Sequence, residues 1–453
     1  MSLLLLIFLP LAIAGPVYLV RRYWTMAVVV SLLAILALVG ICGQATLDEP
    51  TYLLGRELVL NDLNRFLLIA LYVLAGLMIL YAWKEPQGWA FCPCVLAILG
   101  LLSGTMMIRT FLIAVCLMEV AGLLFVLTIH GRRPAPAGTA LGYLVALVLA
   151  ASFLLPVAWL AESFALHPEN LLLIRFTVIA VFIGLGILLA AAPFHSWLPT
   201  VVQGAPPMAG ALLICIFSPV HLLLLLRVLQ ENPWLVADST ILSVISISGL
   251  LTAVVGGLFA FAQRTPGRLL AYAAISDMGF VLVALGTGSP WGVSAALAHS
   301  VNRSLAVLLV AMSAGALRNH LKPGSVPTLR GMVRRTPGGI LGYLAGGLAL
   351  GGFPLLNGFA TRWLVYRSLA EHSALFVGAL VLSGVGVVLG YLRSISTMKQ
   401  PSSESGDGRE PALVTVIILS LAGLCLLLGL VPGLLASPLF DILQGIALSG
   451  GHL

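Results

Sequence analysis

Lysine is nearly missing from this chain. Only Lys84, Lys322 and Lys399 occur in 453 residues, and charged residues of all kinds make up 9% of the total. No soluble domain of this size carries so little charge. With 60% hydrophobic residues and a mean hydropathy of +1.11, the composition is that of a polytopic membrane protein. The ten-residue alternating segments of a transmembrane barrel are absent, so the spans are helical. Phosphate-binding glycine loops, nucleophile elbows, zinc spacings and haem motifs are absent too, which speaks against an active site of the chain's own. The six cysteines lie mostly within apolar runs. Cys92-Pro93-Cys94 is a C-x-C without a matching pair, so buried small hydrophobes are the plain reading, with no metal ligands. A formal charge of +7 does not point to nucleic acid, because the basic residues fall in short loops between spans.

What is present is a series of roughly fourteen apolar runs of spanning length. They lie near 2–20, 24–43, 65–83, 89–107, 110–130, 139–161, 171–192, 207–229, 238–261, 269–287, 291–316, 338–369, 374–396 and 411–434. The first lacks a basic leader and a clear cleavage site, and reads as a retained span. With the N-terminus outside, the inner loops collect Arg21, Arg22, Lys84, Arg132, Arg133, Arg264, Arg268, Arg318, Lys322, Arg330, Arg334, Arg335, Arg393 and Lys399. The outer loops collect Asp48, Glu49, Glu162, Glu169, Glu231, Asp238 and Glu371, with Arg56 and Arg109 as exceptions. This alternation predicts an all-α fold with both termini outside. The Ser/Gly-rich segment from Pro401 to Glu410 reads as a loop.

One stretch breaks the apolar pattern sharply. Pro193 to Pro207 reads P-F-H-S-W-L-P-T-V-V-Q-G-A-P-P, and Pro206 is among its four prolines. In lipid, backbone groups freed by such a break must find partners inside the protein, so breaks survive where they line a cavity or an ion path. A weaker echo, G-G-F-P-L-L-N-G-F-A-T-R-W at 351–363, places Pro354 within a run too long for one plain helix. If five spans form each unit, the two copies are inverted repeats. The expected division is 1–88 for N-terminal helices, 89–230 and 238–398 for the repeats, and 411–453 for a last helix and tail.

Seven residues are candidates for a proton path. Glu119 lies near the middle of its span, where a carboxylate is costly unless paired or protonated; the bland alternative is a helix–helix hydrogen bond. His195 sits at the break and His221 inside the next span, placed to hand a proton between them or simply to pack. His299, Asn302 and Arg303 share one helix face at i, i+3 and i+4. Asp277 and Glu119 are both candidate partners for Arg303, and Arg362 follows the second break. Since no span contains lysine, and arginine stays charged, only histidines and carboxylates can titrate within the membrane.

These motifs resemble the antiporter-like membrane subunits of respiratory complex I, of membrane-bound hydrogenases and of multisubunit sodium/proton antiporters. The V-V-Q-G-A-P portion is most similar to the N-type complex I subunit. R-L-L-A-Y-A-A-I-S-D-M-G-F (268–280), L-M-E-V-A-G-L-L-F (117–125) and G-L-V-P-G-L-L (429–435) match as well. The resemblance implies fourteen spans, two inverted five-helix repeats and two broken helices. It implies a subunit of a redox-driven ion-translocating assembly such as an NADH-quinone oxidoreductase or a hydrogenase. The setting is an energy-transducing bacterial or archaeal membrane. Its partners would be other membrane subunits, the bilayer, and protons or sodium. No cofactor would be bound by this chain, since the redox centres belong to partner subunits. Glu119 matches the family's glutamate of the fifth span. The family's lysines, however, are replaced: Leu188 stands five residues before Pro193, Ser218 and Pro219 stand in the eighth span, Val307 in the eleventh and Arg362 in the twelfth. Asp277 stands where a histidine is usual. Three readings stay open: a proton path through glutamate and histidine, a structural subunit that no longer pumps, and a stand-alone transporter of another substrate.

Overall fold

The structure, a computed structural model, describes residues 2–130, 136–237, 239–319, 331–370, 373–400 and 410–448. Its first helices are α1 (Ser2–Leu19), α2 (Trp24–Gln44), α3 (Asp62–Lys84), α4 (Phe91–Met107), α5 (Phe111–Ile129), α6 (Ala137–Leu154), α7 (Val157–Leu166) and α8 (Leu171–Leu188). A 3₁₀ turn, Phe194–Ser196, precedes α9 (Trp197–Gly204) and α10 (Pro207–Leu212). A π-helical turn, Leu213–Phe217, then leads into α11 (Ser218–Glu231). There follow α12 (Pro233–Ala237), α13 (Ser239–Ala262), α14 (Pro266–Gly286), α15 (Pro290–Asn319), α16 (Met332–Arg335) and α17 (Pro337–Leu350). The last are α18 (Asn357–Ala370), α19 (Ala374–Lys399), α20 (Ala412–Leu430) and α21 (Gly433–Leu448). Among the described residues, twelve helical segments are long and apolar enough to cross a membrane, and the shorter α4 and α17 are apolar as well. The all-α polytopic expectation stands.

The chain divides into two compact units, Met1–Trp197 with Ile216–Ile241 and Ile442–Leu453, and Leu198–Cys215 with Leu242–Asp441. In the first, α1 packs on α4, α4 on α5, α2 on α3 and α6 on α8. In the second, α15 is central and touches α14, α17 and α18. Between helices in lipid there is no hydrophobic drive, so small residues that let backbones approach do the packing. At the α13–α14 crossing a methyl on Gly256 would stand 2.3 Å from the Ser276 nitrogen, and one on Gly279 2.3 Å from the Ala253 nitrogen.

Burial separates the helices. The stretches Pro207–Glu231, Pro266–Gly286 and Pro290–Arg318 are 94%, 89% and 94% buried, against 28% for α1 and 33% for α20. The enclosed three carry His221, Asp277, His299, Asn302 and Arg303, so the polar residues sit on the innermost helices of their units.

Several boundaries differ from the sequence reading. The span expected to reach 192 stops at Leu188, because Ala190 takes a positive φ of 51° that no helix continues through. Of the charges assigned to loops, Lys84, Glu231 and Lys399 are the last residues of α3, α11 and α19, Arg318 lies one residue from the end of α15, and Glu162, Arg268 and Arg393 fall within α7, α14 and α19. The loop between α2 and α3 holds an unexpected hairpin, β1 (Thr51–Leu53) with β2 (Arg56–Leu58). Leu54 and Gly55 turn it with positive φ, at +50° and +73°. Arg132, Arg133, Asp238, Lys322, Arg330, Glu371 and segment 401–409 lie outside the described residues.

Candidate functional site

Two helix breaks and one π-helical turn leave carbonyls without an intrahelical donor, and at each of the three a polar side chain meets them. At the first break, α8 ends at Leu188. Trp197 Nε1 donates to the Ile187 carbonyl at 2.9 Å. The His221 imidazole takes the Leu188 carbonyl as its backbone partner. Its Nδ1 is buried without a partner, which leaves Nε2 to make that contact. At the π-helical turn, Pro219 has no N–H to offer the carbonyls one turn back. Arg303 Nη1 donates to Ile214 at 3.5 Å and Ser304 Oγ to Cys215 at 3.4 Å. At the second break, Arg362 Nη1 donates to the Gly351 carbonyl at 3.0 Å and Nη2 donates to that of Leu350. A cation at this helix C-terminus also complements the helix dipole.

The second unit holds a compact ionic cluster. Arg362, fully buried, donates from Nη2 and Nε to Asp277 Oδ1 at 2.5 and 3.2 Å. Its guanidinium carbon lies 3.9 Å over the Phe280 ring, and Tyr366 bonds it through its hydroxyl. His299 is bonded on both nitrogens, Nε2 to Asp277 Oδ1 at 3.2 Å and Nδ1 to Thr361 Oγ1 at 2.8 Å. Asn302 and Asn357 exchange bonds, each donating to the other's backbone carbonyl at 3.2 and 2.9 Å. The helical face of His299, Asn302 and Arg303 does point inward, with all three buried.

The expected partner of Arg303 needs correcting. It forms an ion pair with neither Asp277 nor Glu119. Its remaining donors, Nε and Nη2, go to the Ala274 carbonyl at 3.3 and 3.2 Å. Asp277 is taken by Arg362 because the fork of α18 reaches it directly, while Arg303 is held by the π turn. Among the described residues no carboxylate lies within ion-pair distance of Arg303, although Asp277 is close enough to act through the field.

Room for Arg362 is built into the backbone. A methyl on Gly352 would stand 2.6 Å from Arg362 Cδ, at a φ of +74° that favours glycine. Gly352→Ala is therefore expected to lower stability by about 1–3 kcal/mol from backbone strain alone, read as a fall in thermal unfolding temperature in detergent. An unchanged midpoint would show that the break relaxes freely.

In the first unit, Glu119 lies on α5 with Oε1 buried and unpartnered. Tyr143 of α6 is buried within electrostatic reach of it. Phe125 stacks edge-on with both Tyr143 and Phe217 at 4.9 and 5.8 Å, and Phe217 lies 6.0 Å from the His221 ring. His195 is half-buried in the 3₁₀ turn and bonds the Pro193 backbone. Thr361, Asn357, Tyr366 and Trp197 were not singled out from sequence, although three of them lie inside or beside the two break motifs. Among the described residues no three His, Cys, Asp or Glu side chains gather into a metal-binding group.

Comparison with known proteins agrees with this architecture. The profile described as NADH:quinone oxidoreductase/Mrp antiporter, TM, matches residues 139–390. NADH-quinone oxidoreductase subunit N of Maricaulis maris is 32% identical over 422 residues, covering 86% of each chain. Hydrogenase-4 component B of Escherichia coli is 28% identical over 292 residues, 58% of this chain and 43% of that one. Other curated relatives are spanned over little more than half their length, 57%, 55% and 56%. A chain of the Mrp complex from Dietzia sp. DQ12-45-1b superposes with a TM-score of 0.84 at 17% identity, covering 98% of this chain and 96% of that one, and so shares the fold. The chain belongs to the NADH:quinone oxidoreductase/Mrp antiporter transmembrane family.

Proposed function

We propose that this chain is an antiporter-like membrane subunit of a complex I-like or hydrogenase-like, redox-driven assembly, and that it carries protons through buried glutamate and histidine. The observation that supports this best is in the first unit. Glu119 Oε1 and His221 Nδ1 are both buried polar atoms that no protein group satisfies. Burying such an atom without a partner costs about 1–3 kcal/mol, so sites of this kind persist where a mobile partner, a proton or water, serves them. Residues 89–230 and 238–398 are the two inverted repeats in this reading. Redox centres lie on partner chains, which relatives named as oxidoreductase and hydrogenase subunits support.

The proton path proposed here is narrower than the seven candidate residues. Arginine does not release its proton in a protein. Arg303 and Arg362 therefore hold broken backbone and fixed charge, while Glu119, His195, His221, Asp277 and His299 are the groups that can exchange. The satisfied state of Arg303 and Arg362 favours a second reading, a structural subunit with closed paths. Glu119→Gln in the intact assembly separates the two. Proton pumping by membrane vesicles is expected to fall by about tenfold or more with assembly unchanged; normal pumping would leave the structural reading standing.

A further inference from the structure

Two short turns of the first unit lie side by side at one end of its helices. Residues 20–23 join α1 to α2, and residues 85–90 join α3 to α4. Trp24 Nε1 donates to the Trp83 carbonyl at 3.1 Å, and the Tyr18 ring meets that of Trp89 edge-on at 5.8 Å. Two cations are seated on these rings. The Arg21 guanidinium carbon lies 3.9 Å over the Tyr18 ring and 5.4 Å from the centre of the Trp89 ring. Lys84 Nζ lies 5.4 Å from the centre of the Trp83 ring. Arg21 Nη1 also donates to the Tyr18 carbonyl at 3.3 Å, which leaves most of its N–H donors uncommitted.

Among the described residues, no carboxylate lies within ion-pair distance of Arg21, of its exposed neighbour Arg22 or of Lys84. Glu85 is the single acid of the two turns, against these three cations. Topology alone does not ask for this arrangement. Orientation is set by how many basic residues a loop carries, wherever their side chains lie. Here the guanidinium of one turn is held against an aromatic ring of the other. Around it Leu19, Tyr23, Met26 and Trp89 are 77%, 71%, 55% and 52% exposed. A fixed, uncompensated guanidinium bordered by exposed apolar and aromatic surface, at the ends of apolar helices, suits an amphiphile whose charged group is a phosphate. Guanidinium and phosphate pair through two parallel N–H···O bonds. Basic residues clustered beside membrane helices favour anionic headgroups. A free phosphate would meet the charges and leave the apolar border unused.

We propose that Tyr18, Arg21, Lys84 and Trp89 form a binding site for an anionic phospholipid, with its phosphate on Arg21 and Lys84 and its acyl chains along Leu19 and Met26. The loop-charge assignment makes it a site of the inner leaflet. It does not depend on whether the chain conducts protons. Native mass spectrometry of the intact assembly, titrated with phosphatidylglycerol, tests it. Arg21→Gln combined with Lys84→Gln is expected to weaken one bound phosphatidylglycerol by about tenfold or more, with phosphatidylcholine binding unchanged. Arg21→Lys keeps the charge that topology reads and loses the fork, so it should weaken the same lipid by a smaller factor. Arg56→Gln, at an exposed arginine of the hairpin, should leave binding as it is. An equal loss of phosphatidylcholine would reduce the site to apolar contact. Displacement of the lipid by inorganic phosphate would make it a free-anion site. Unchanged lipid with a partner subunit missing from the spectrum would make the patch a protein interface. Any of these three results, or full retention of phosphatidylglycerol by the double variant, overturns the proposal.

Discussion

Asp277→Asn is expected to destabilise the chain by about 3–5 kcal/mol, because it leaves a buried guanidinium without its counter-charge. The substitution preserves size and one acceptor, so the loss is electrostatic. Arg362 is fully buried and Asp277 is its ion-pair partner, while Arg303 has carbonyls but, among the described residues, no carboxylate within ion-pair distance. Removing the aspartate charge would strand both cations in a low-dielectric interior, and the acceptor left opposite His299 Nε2 would be a neutral amide oxygen. Denaturant unfolding of the purified chain reads the effect. A double-mutant cycle isolates the pair: Arg362→Gln, which keeps two donors, should recover part of the loss when combined with Asp277→Asn. Additive losses would mean that Arg362 is held by the Leu350 and Gly351 carbonyls alone.

The same geometry explains why lysine, which the family resemblance implies at this position, would not substitute well. Arg362 reaches the Gly351 carbonyl from Nη1 and Asp277 from Nη2 and Nε, in one planar fork. A lysine ammonium is a single point with no such spread. In this chain the second break and the ionic cluster are built around one guanidinium. The resemblance implies a relay lysine at this position, whereas the bonds of Arg362 support our reading of it as a cap with a permanent charge.

Much of this was legible in the sequence, for local reasons. Proline set among polar residues in an apolar run marks a break, whereas Pro10 and Pro16, without such neighbours, lie inside α1; the interruptions after Leu188 and Leu350 could therefore be placed to within a few residues. The 3.6-residue repeat put His299, Asn302 and Arg303 on one face, and the face is buried as read. Pairing was not legible. Asp277 and Arg362 are 85 positions apart, and periodicity says nothing about which of two arginines reaches a carboxylate first. The π turn had a local signal, since Pro219 removes an N–H from the helix, yet a proline at the second position of α11 reads equally as an ordinary helix start. The hairpin was marked only by Gly55 between short Thr-Tyr-Leu and Arg-Glu-Leu runs, too brief to outweigh a loop. Its Glu57, in β2, pairs with Arg109 just before α5.

His221 is where cap and carrier must be told apart, and two substitutions do it. His221→Leu removes both the contact to the Leu188 carbonyl and the titratable ring. It is expected to cost about 1–3 kcal/mol for the carbonyl left unsatisfied and to abolish the contribution of the first unit to pumping. His221→Gln places an amide donor near the position of Nε2 and keeps the break capped, but it exchanges no proton. Unfolding of the glutamine variant should therefore match the parent to within about 1 kcal/mol, the range of a preserved hydrogen bond. Its pumping should nonetheless fall as far as that of the leucine variant, by about tenfold or more. If the glutamine variant pumps like the parent, His221 serves only to close the first break, as Arg362 closes the second. The proton route of the first unit would then have to pass through Glu119 and His195 without it.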